Sequence, residues 1–146
     1  MHKFTAFKDG VNEPLLAEVR GRVTKMLRDF FDPEDLTMVD DLASFSFGSA
    51  TVHIQVIPWH TEDVLVRVFS YLVENVDPTS GELGEKLLRL NATAPMGAFS
   101  LVFDRTIMFS CALPGSHLDP NELLGAMQTV AAYADQYDDL LQEMFS

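Results

Sequence analysis

The fold is decided by residues 51–72, TVHIQVIPWHTEDVLVRVFSYL. Apolar residues alternate with other side chains on both sides of a short break, at Val52, Ile54, Val56 and then at Val64, Val66, Val68 and Leu72. A period of two is typical of strands that bury one face. Because only Pro58 to Asp63 separates the two runs, they are predicted to pair as an antiparallel hairpin.

The sequence before this hairpin predicts one helix and one further strand. Apolar residues recur every three or four positions from Glu13 to Phe31, which indicates a helix with a single buried stripe and Asn12 as its N-cap. Residues 33–41 show no clear period and are interpreted as a linker. Phe45 and Phe47 then alternate ahead of a turn, and they predict the first strand of the sheet.

The sequence after the hairpin predicts a short helix and a second hairpin. Thr79 and Glu82 have the spacing of a capping box, and the helix is expected to end near Leu90. Two alternating runs follow, Phe99–Phe103 and Ile107–Leu113, with a bend between them. The second hairpin therefore adds two strands to the sheet.

A long helix completes the pattern. Asp119, Pro120 and Glu122 combine an N-cap, a proline in the first turn and an acid three positions after the cap. Helical spacing of apolar residues then continues to Met144. We therefore predict an α+β domain over residues 1–146, with a single antiparallel five-stranded sheet and the order α-β-β-β-α-β-β-α.

The two long helices should cover one face of the sheet, which leaves the opposite face for a partner. The side chains expected to bind a partner there combine aromatic, sulfur and guanidinium groups: Trp59, Arg67, Phe69, Tyr71 and Met108. Such a mixture is enriched at recognition surfaces. The alternatives are that the short helix or a second subunit covers this face, or that it is simply half-exposed.

Composition limits the classes of partner and compartment. Lys and Arg number 10 against 22 Asp and Glu, which gives a net charge of −12, so the chain is not expected to bind nucleic acid. No apolar run is long enough to span a membrane, and Met1 to Gly10 does not read as a signal peptide. Since the lone Cys111 cannot form an internal disulfide, a cytoplasmic setting is expected.

No motif predicts a catalytic residue, a metal site or a cofactor. The four histidines lack a second ligand at metal-binding spacing, and Cys111 shares its parity with core residues, where a thiol is inert. Asp135, Asp138 and Asp139 could hold a cation or a basic partner, but acids on a helix surface are usually solvated. We therefore expect a protein that is not an enzyme.

Three segments resemble the YbjN family and the wider fold of type III secretion chaperones. These are Leu87-Leu88-Arg89-Leu90-Asn91, Gly97-Ala98-Phe99-Ser100-Leu101, and Leu123 to Ala134-Asp135. The order of elements agrees over nearly the whole chain. The resemblance implies a protein that binds peptide segments of a client or acts in regulation. It also implies a possible homodimer, with Leu83, Leu87 and Leu88 at the interface.

The most favoured function is thus a non-catalytic, chaperone-like adaptor that binds a protein or a peptide. The first alternative is a regulatory protein of a bacterial signalling pathway, which would bind a folded partner. The second is a small-molecule-binding domain, whose pocket would lie near His53, His60 or Cys111.

Overall fold

A computed structural model describes residues 6–146, so His2 and the start of the N-terminal segment lie outside the described part of the chain. Its three helices are α1 (Glu13–Phe30), α2 (Gly81–Asn91) and α3 (Pro120–Phe145). The Asn12 side chain accepts a hydrogen bond from the Leu15 amide, and Asp119 and Glu122 form both bonds of a capping box. Both predicted helix starts are confirmed.

The strands form one antiparallel sheet. They are β1 (Thr37–Val39), β2 (Leu42–Phe47), β3 (Ala50–His60), β4 (Asp63–Val73), β5 (Gly97–Val102) and β6 (Thr106–Pro114). The order across the sheet is β1-β2-β3-β4-β6-β5. The α+β class is confirmed, but the sheet has six strands within residues 6–146, so the prediction of five was wrong.

The missed strand, β1, lies at the edge of the sheet in the segment interpreted as a linker. Its three residues are all exposed, so it carries no alternation between buried and exposed side chains. Asp40 turns the chain with a φ of 53° and brings Val39 opposite Leu42. Asp tolerates this left-handed conformation better than most residues. Backbone pairing with β2 therefore defines a strand that has no burial pattern in the sequence.

The core lies between one face of the sheet and the three helices. Alternate residues of β3 and β4, including Val52, Ile54, Val64, Val66 and Val68, pack with apolar side chains of α1 and α3. These five are at most 1% exposed. We call this side the core face and the other side the open face.

The short helix begins one residue later than the capping box predicted. Ser80, and not Thr79, is its N-cap, because the Ser80 hydroxyl accepts a hydrogen bond from the Leu83 amide. Thr79 instead donates its hydroxyl to Asp77. At the other end of the helix, the Asn91 side chain exchanges two hydrogen bonds with the backbone of Phe99. This pairing occupies part of the free edge of β5.

The turn between β2 and β3 is fixed by α3. Asp135 accepts a hydrogen bond from the Ser49 amide, and the single proton of the Ser49 hydroxyl lies between Asp135, at 3.1 Å, and Asp138, at 2.6 Å. Gly48 has a φ of 56°, which suits a residue without Cβ. Asp135 and Asp138 are therefore partnered within the chain rather than simply solvated.

Candidate functional site

The open face carries a small apolar layer of its own. Phe69 and Met108 are each only 5% exposed, yet neither belongs to the main core cluster. Their neighbours on the strands are Tyr71, which pairs with Met108, and Ser110, which pairs with Phe69. The face thus has buried apolar side chains beneath more exposed ones.

Four rings form a continuous group on this face, which we call the aromatic cluster: His53, Phe69, Tyr71 and Phe103. The centroid of the Phe69 ring lies 5.2 Å from that of His53 and 5.5 Å from that of Tyr71. The Tyr71 ring lies 5.7 Å from the Phe103 ring. Such separations are those of favourable aromatic pairs. Tyr71 and Phe103 are the outer members, with exposures of 39% and 76%.

Arg67 lies beside the aromatic cluster. Its guanidinium carbon is 5.1 Å from the centre of the Phe69 ring, and its Nη2 is 3.7 Å from Met108 Sδ. It makes no salt bridge with any acid of the described chain. The guanidinium is therefore held in place by an aromatic ring and a thioether, and its remaining donors are available to a ligand.

Phe103 was missed because its alternation with Phe99 and Leu101 placed it on the core face. In the structure it lies in the turn between β5 and β6, with a φ of 50°, and the next residue, Asp104, has a φ of 66°. A bulky residue in this region is strained. Asp104 was the available signal for a left-handed turn, but nothing in the sequence indicated that Phe103 would share that conformation.

Trp59 does not join the aromatic cluster. A register shift between Pro58 and His60 interrupts β3 there, and Trp59 contacts Phe7 and His60 with ring centroids 4.9 and 4.6 Å away. His53 lies six residues earlier on the same strand, about 20 Å away at the usual rise per residue. The five predicted partner residues therefore fall into two places, with Arg67, Phe69, Tyr71 and Met108 together and Trp59 apart.

His53 connects the cluster to the strand beside it. Its Nδ1 lies 2.7 Å from Ser44 Oγ, and burial lowers the pKa of the imidazole below its ordinary value. Near neutral pH the ring is therefore uncharged. It adds aromatic surface to the open face without adding charge.

The three leucines expected at a dimer interface differ in exposure. Leu83 and Leu87 are buried in the core of the chain, at 2% and 8% exposure. Leu88 is 73% exposed. Of the three, only Leu88 presents its side chain on the surface of α2.

The thiol and the metal-ligating side chains of the described chain do not form a reactive site. Burial raises the pKa of the Cys111 thiol to about 11, so the thiol is protonated at neutral pH. Within residues 6–146, no group of three or more His, Cys, Asp or Glu side chains is placed to hold a metal ion. None of the described helices is both long and apolar enough to cross a membrane.

Comparison with known proteins identifies the family of the chain. A search of curated proteins finds no similar sequence. A family model described as "T3SS (YopN, CesT) and YbjN peptide-binding chaperone 1" matches residues 17–146, which include all six strands and most of α1. This match confirms the resemblance found in the sequence, and the chain belongs to this family of peptide-binding chaperones.

Proposed function

We propose that the open face of the sheet holds a peptide segment of a protein client. The observation that carries the proposal is the aromatic cluster, whose outer rings, Tyr71 and Phe103, stand on the side of the sheet away from the core. Membership of a peptide-binding chaperone family supports a client of this kind. Tyr71, Phe103 and Arg67 are the proposed contacts, while Phe69 and Met108 support them from below.

The chemistry of these three side chains suits an extended segment. Aromatic rings provide a large contact area at a low cost in conformational entropy, and Arg67 can donate hydrogen bonds to the carbonyl groups of a peptide. Aromatic and Arg residues also dominate the binding energy of many interfaces. The cluster would therefore bind apolar side chains, with Arg67 fixing the direction of the backbone.

Displayed random peptides selected on the wild-type protein would test this proposal. The affinities of the enriched peptides are then measured by fluorescence anisotropy for the wild type, Tyr71→Ala and Leu101→Ala. Leu101 is a matched control, because it has the same 39% exposure but lies opposite Ile107, on the core-face parity. We expect Tyr71→Ala to weaken binding about tenfold, in the range of an interface hot spot. Equal affinities for both variants would contradict the proposal.

We also propose that the protein acts without catalysis and in the cytoplasm. The absence of catalysis is supported by the protonated, buried Cys111 thiol and by the separation of His53 from His60 along β3. The cytoplasmic location is supported by the same lone thiol, which needs no oxidising compartment. Fractionation with a compartment marker tests the location.

A homodimer through α2 is a further part of the proposal. Its support is Leu88, which exposes 73% of its surface on a helix at the edge of the sheet. Sedimentation velocity should give a dimer for the wild type and a monomer for Leu88→Glu. Leu140→Glu, at an exposed leucine of α3, is the control that should remain dimeric. A wild type that sediments as a monomer at all concentrations would rule the dimer out.

A further inference from the structure

A pocket of about 450 Å³ lies at the β1–β2 edge of the sheet, and we call it the edge pocket. The short 3₁₀ turn Pro33–Asp35 brings Glu34 and Asp35 to its rim. Four residues of β1, β2 and β3 that carry hydroxyl groups also line the pocket: Thr37, Ser44, Ser46 and Thr51. The rings of Phe31 and Phe45 form an apolar wall. The pocket therefore combines two carboxylates, several hydroxyls and an apolar wall.

Some acids of the chain have partners within it, but the two carboxylates of the edge pocket do not. Asp41 is 3.0 Å from Arg20, and Asp135 accepts hydrogen bonds from Ser49. Neither Glu34 nor Asp35 forms a salt bridge or a side-chain hydrogen bond with any residue of the described chain. Two acids beside a concave, hydroxyl-lined surface suit an ammonium or a guanidinium group.

The edge pocket is continuous with the aromatic cluster. Ser44 lines the pocket, and its hydroxyl is 2.7 Å from His53 Nδ1. The His53 ring is in turn 5.7 Å from the Tyr71 ring. From β2 to β4 the distance is two strand spacings, or about 10 Å, which an extended segment covers in about three residues.

We infer that the client segment is basic as well as apolar, with a Lys or Arg side chain in the edge pocket and an aromatic or large aliphatic side chain on Tyr71 and Phe103. The two side chains lie about three residues apart in the segment, at about 3.3 Å per residue. This inference rests on the proposed function, because it assumes that the aromatic cluster binds the client. Charge complementarity is its main support, since the whole chain carries a net charge of −12 and the pocket places two of its acids beside the cluster.

The test uses the displayed random peptides and two double variants that lose the same charge. Glu34→Gln with Asp35→Asn neutralises the edge pocket at two exposed positions. Asp139→Asn with Glu143→Gln neutralises two exposed acids of α3, the helix that packs on the core face, and serves as the matched control. Affinities of the enriched peptides are measured by anisotropy at low and at high ionic strength.

We expect the enriched peptides to contain Lys or Arg about three positions from an aromatic or aliphatic residue. The pocket variant should weaken their binding about fivefold at low salt, as expected for two partly exposed charge pairs, and the α3 variant should not. High salt should remove most of the difference.

Two results would overturn the inference in different ways. In the first, Tyr71→Ala weakens peptide binding but the two double variants bind with equal affinity. This result would exclude the edge pocket from the binding site and would leave the open-face proposal unchanged. A library without any enriched peptide, or peptides insensitive to Tyr71→Ala and to the pocket variant alike, would overturn both.

Discussion

The ring of Tyr71, on β4, lies 5.7 Å from the ring of Phe103, at the tip of the β5–β6 hairpin. The contact brings a turn residue over the open face, although Phe103 must adopt a φ of 50° to make it. Strain of this kind costs on the order of 1–3 kcal/mol and is concentrated at functional sites. The backbone strain at Phe103 therefore lowers the stability of the hairpin, while the exposed Phe103 ring lies beside Tyr71.

Replacing Phe103 should separate stability from binding. In Phe103→Asn the free energy of unfolding should stay unchanged or rise by about 1 kcal/mol, because Asn tolerates the left-handed region and the lost ring is mostly exposed. Affinity for the selected peptides should fall about tenfold. Urea denaturation and anisotropy measure the two effects. A variant that loses stability but keeps its affinity would show that Phe103 is structural.

The turn between β2 and β3 gives a prediction with an internal control. Gly48→Ala should lower the free energy of unfolding by about 1–2 kcal/mol, because Gly48 has a φ of 56° and an added Cβ would collide with the Asp135 carboxylate. Gly21→Ala should raise the free energy of unfolding by about 0.5–1 kcal/mol, since Gly21 lies inside α1 and an added Cβ would meet no other atom within 4 Å. If both variants change the free energy of unfolding in the same direction, the backbone conformations assigned to Gly48 and Gly21 would be refuted.

Asp63 should make stability depend on pH. Burial would raise the pKa of this carboxyl, but hydrogen bonds from Val64 and Ser116 outweigh burial and lower the pKa below its ordinary value. The resulting stabilisation is fully present above about pH 4 and is lost as the pH falls through the lowered pKa. Asp63→Asn should therefore cost about 1–2 kcal/mol at neutral pH and progressively less in acid. A pH-independent difference between variant and wild type would contradict this role.

Trp59 should matter for the N-terminal segment more than for the client. The Phe7 ring stacks on His60 at 4.2 Å and meets Trp59 edge-on, and the Thr61 amide donates to the Lys8 carbonyl. In Trp59→Ala we expect faster hydrogen exchange around Thr61 and a peptide affinity within about twofold of the wild type, because distant sites act independently. A loss of affinity equal to that of Tyr71→Ala would place Trp59 in the binding surface.

The elements with strong periods could be predicted from the sequence. Apolar stripes located α1 and α3, and the alternation from Val52 to Val68 located the central strands and their buried face. These patterns are visible because burial imposes them. In contrast, β1 is only three residues long and all three are exposed, so it leaves no apolar pattern.

The candidate site could be predicted only in part, because its geometry depends on local departures from regular strands. Alternation placed Arg67, Phe69, Tyr71 and Met108 on one face, and the structure brings them together. The alternation of residues could not reveal the register shift after Pro58, which separates Trp59 from the other four. Nor could it reveal the left-handed turn that places Phe103 on the open face. The edge pocket was also missed, since Glu34 and Asp35 belong to a segment without a period.

The central claim, that the open face binds the client segment, is tested most directly by mapping amide chemical shifts while a selected peptide is added to the ¹⁵N-labelled protein. We predict that the largest changes fall on Arg67 to Tyr71 of β4, on Met108 to Ser110 of β6 and on the turn at Phe103 and Asp104. Changes confined to the helices, with these amides unmoved at saturation, would contradict it.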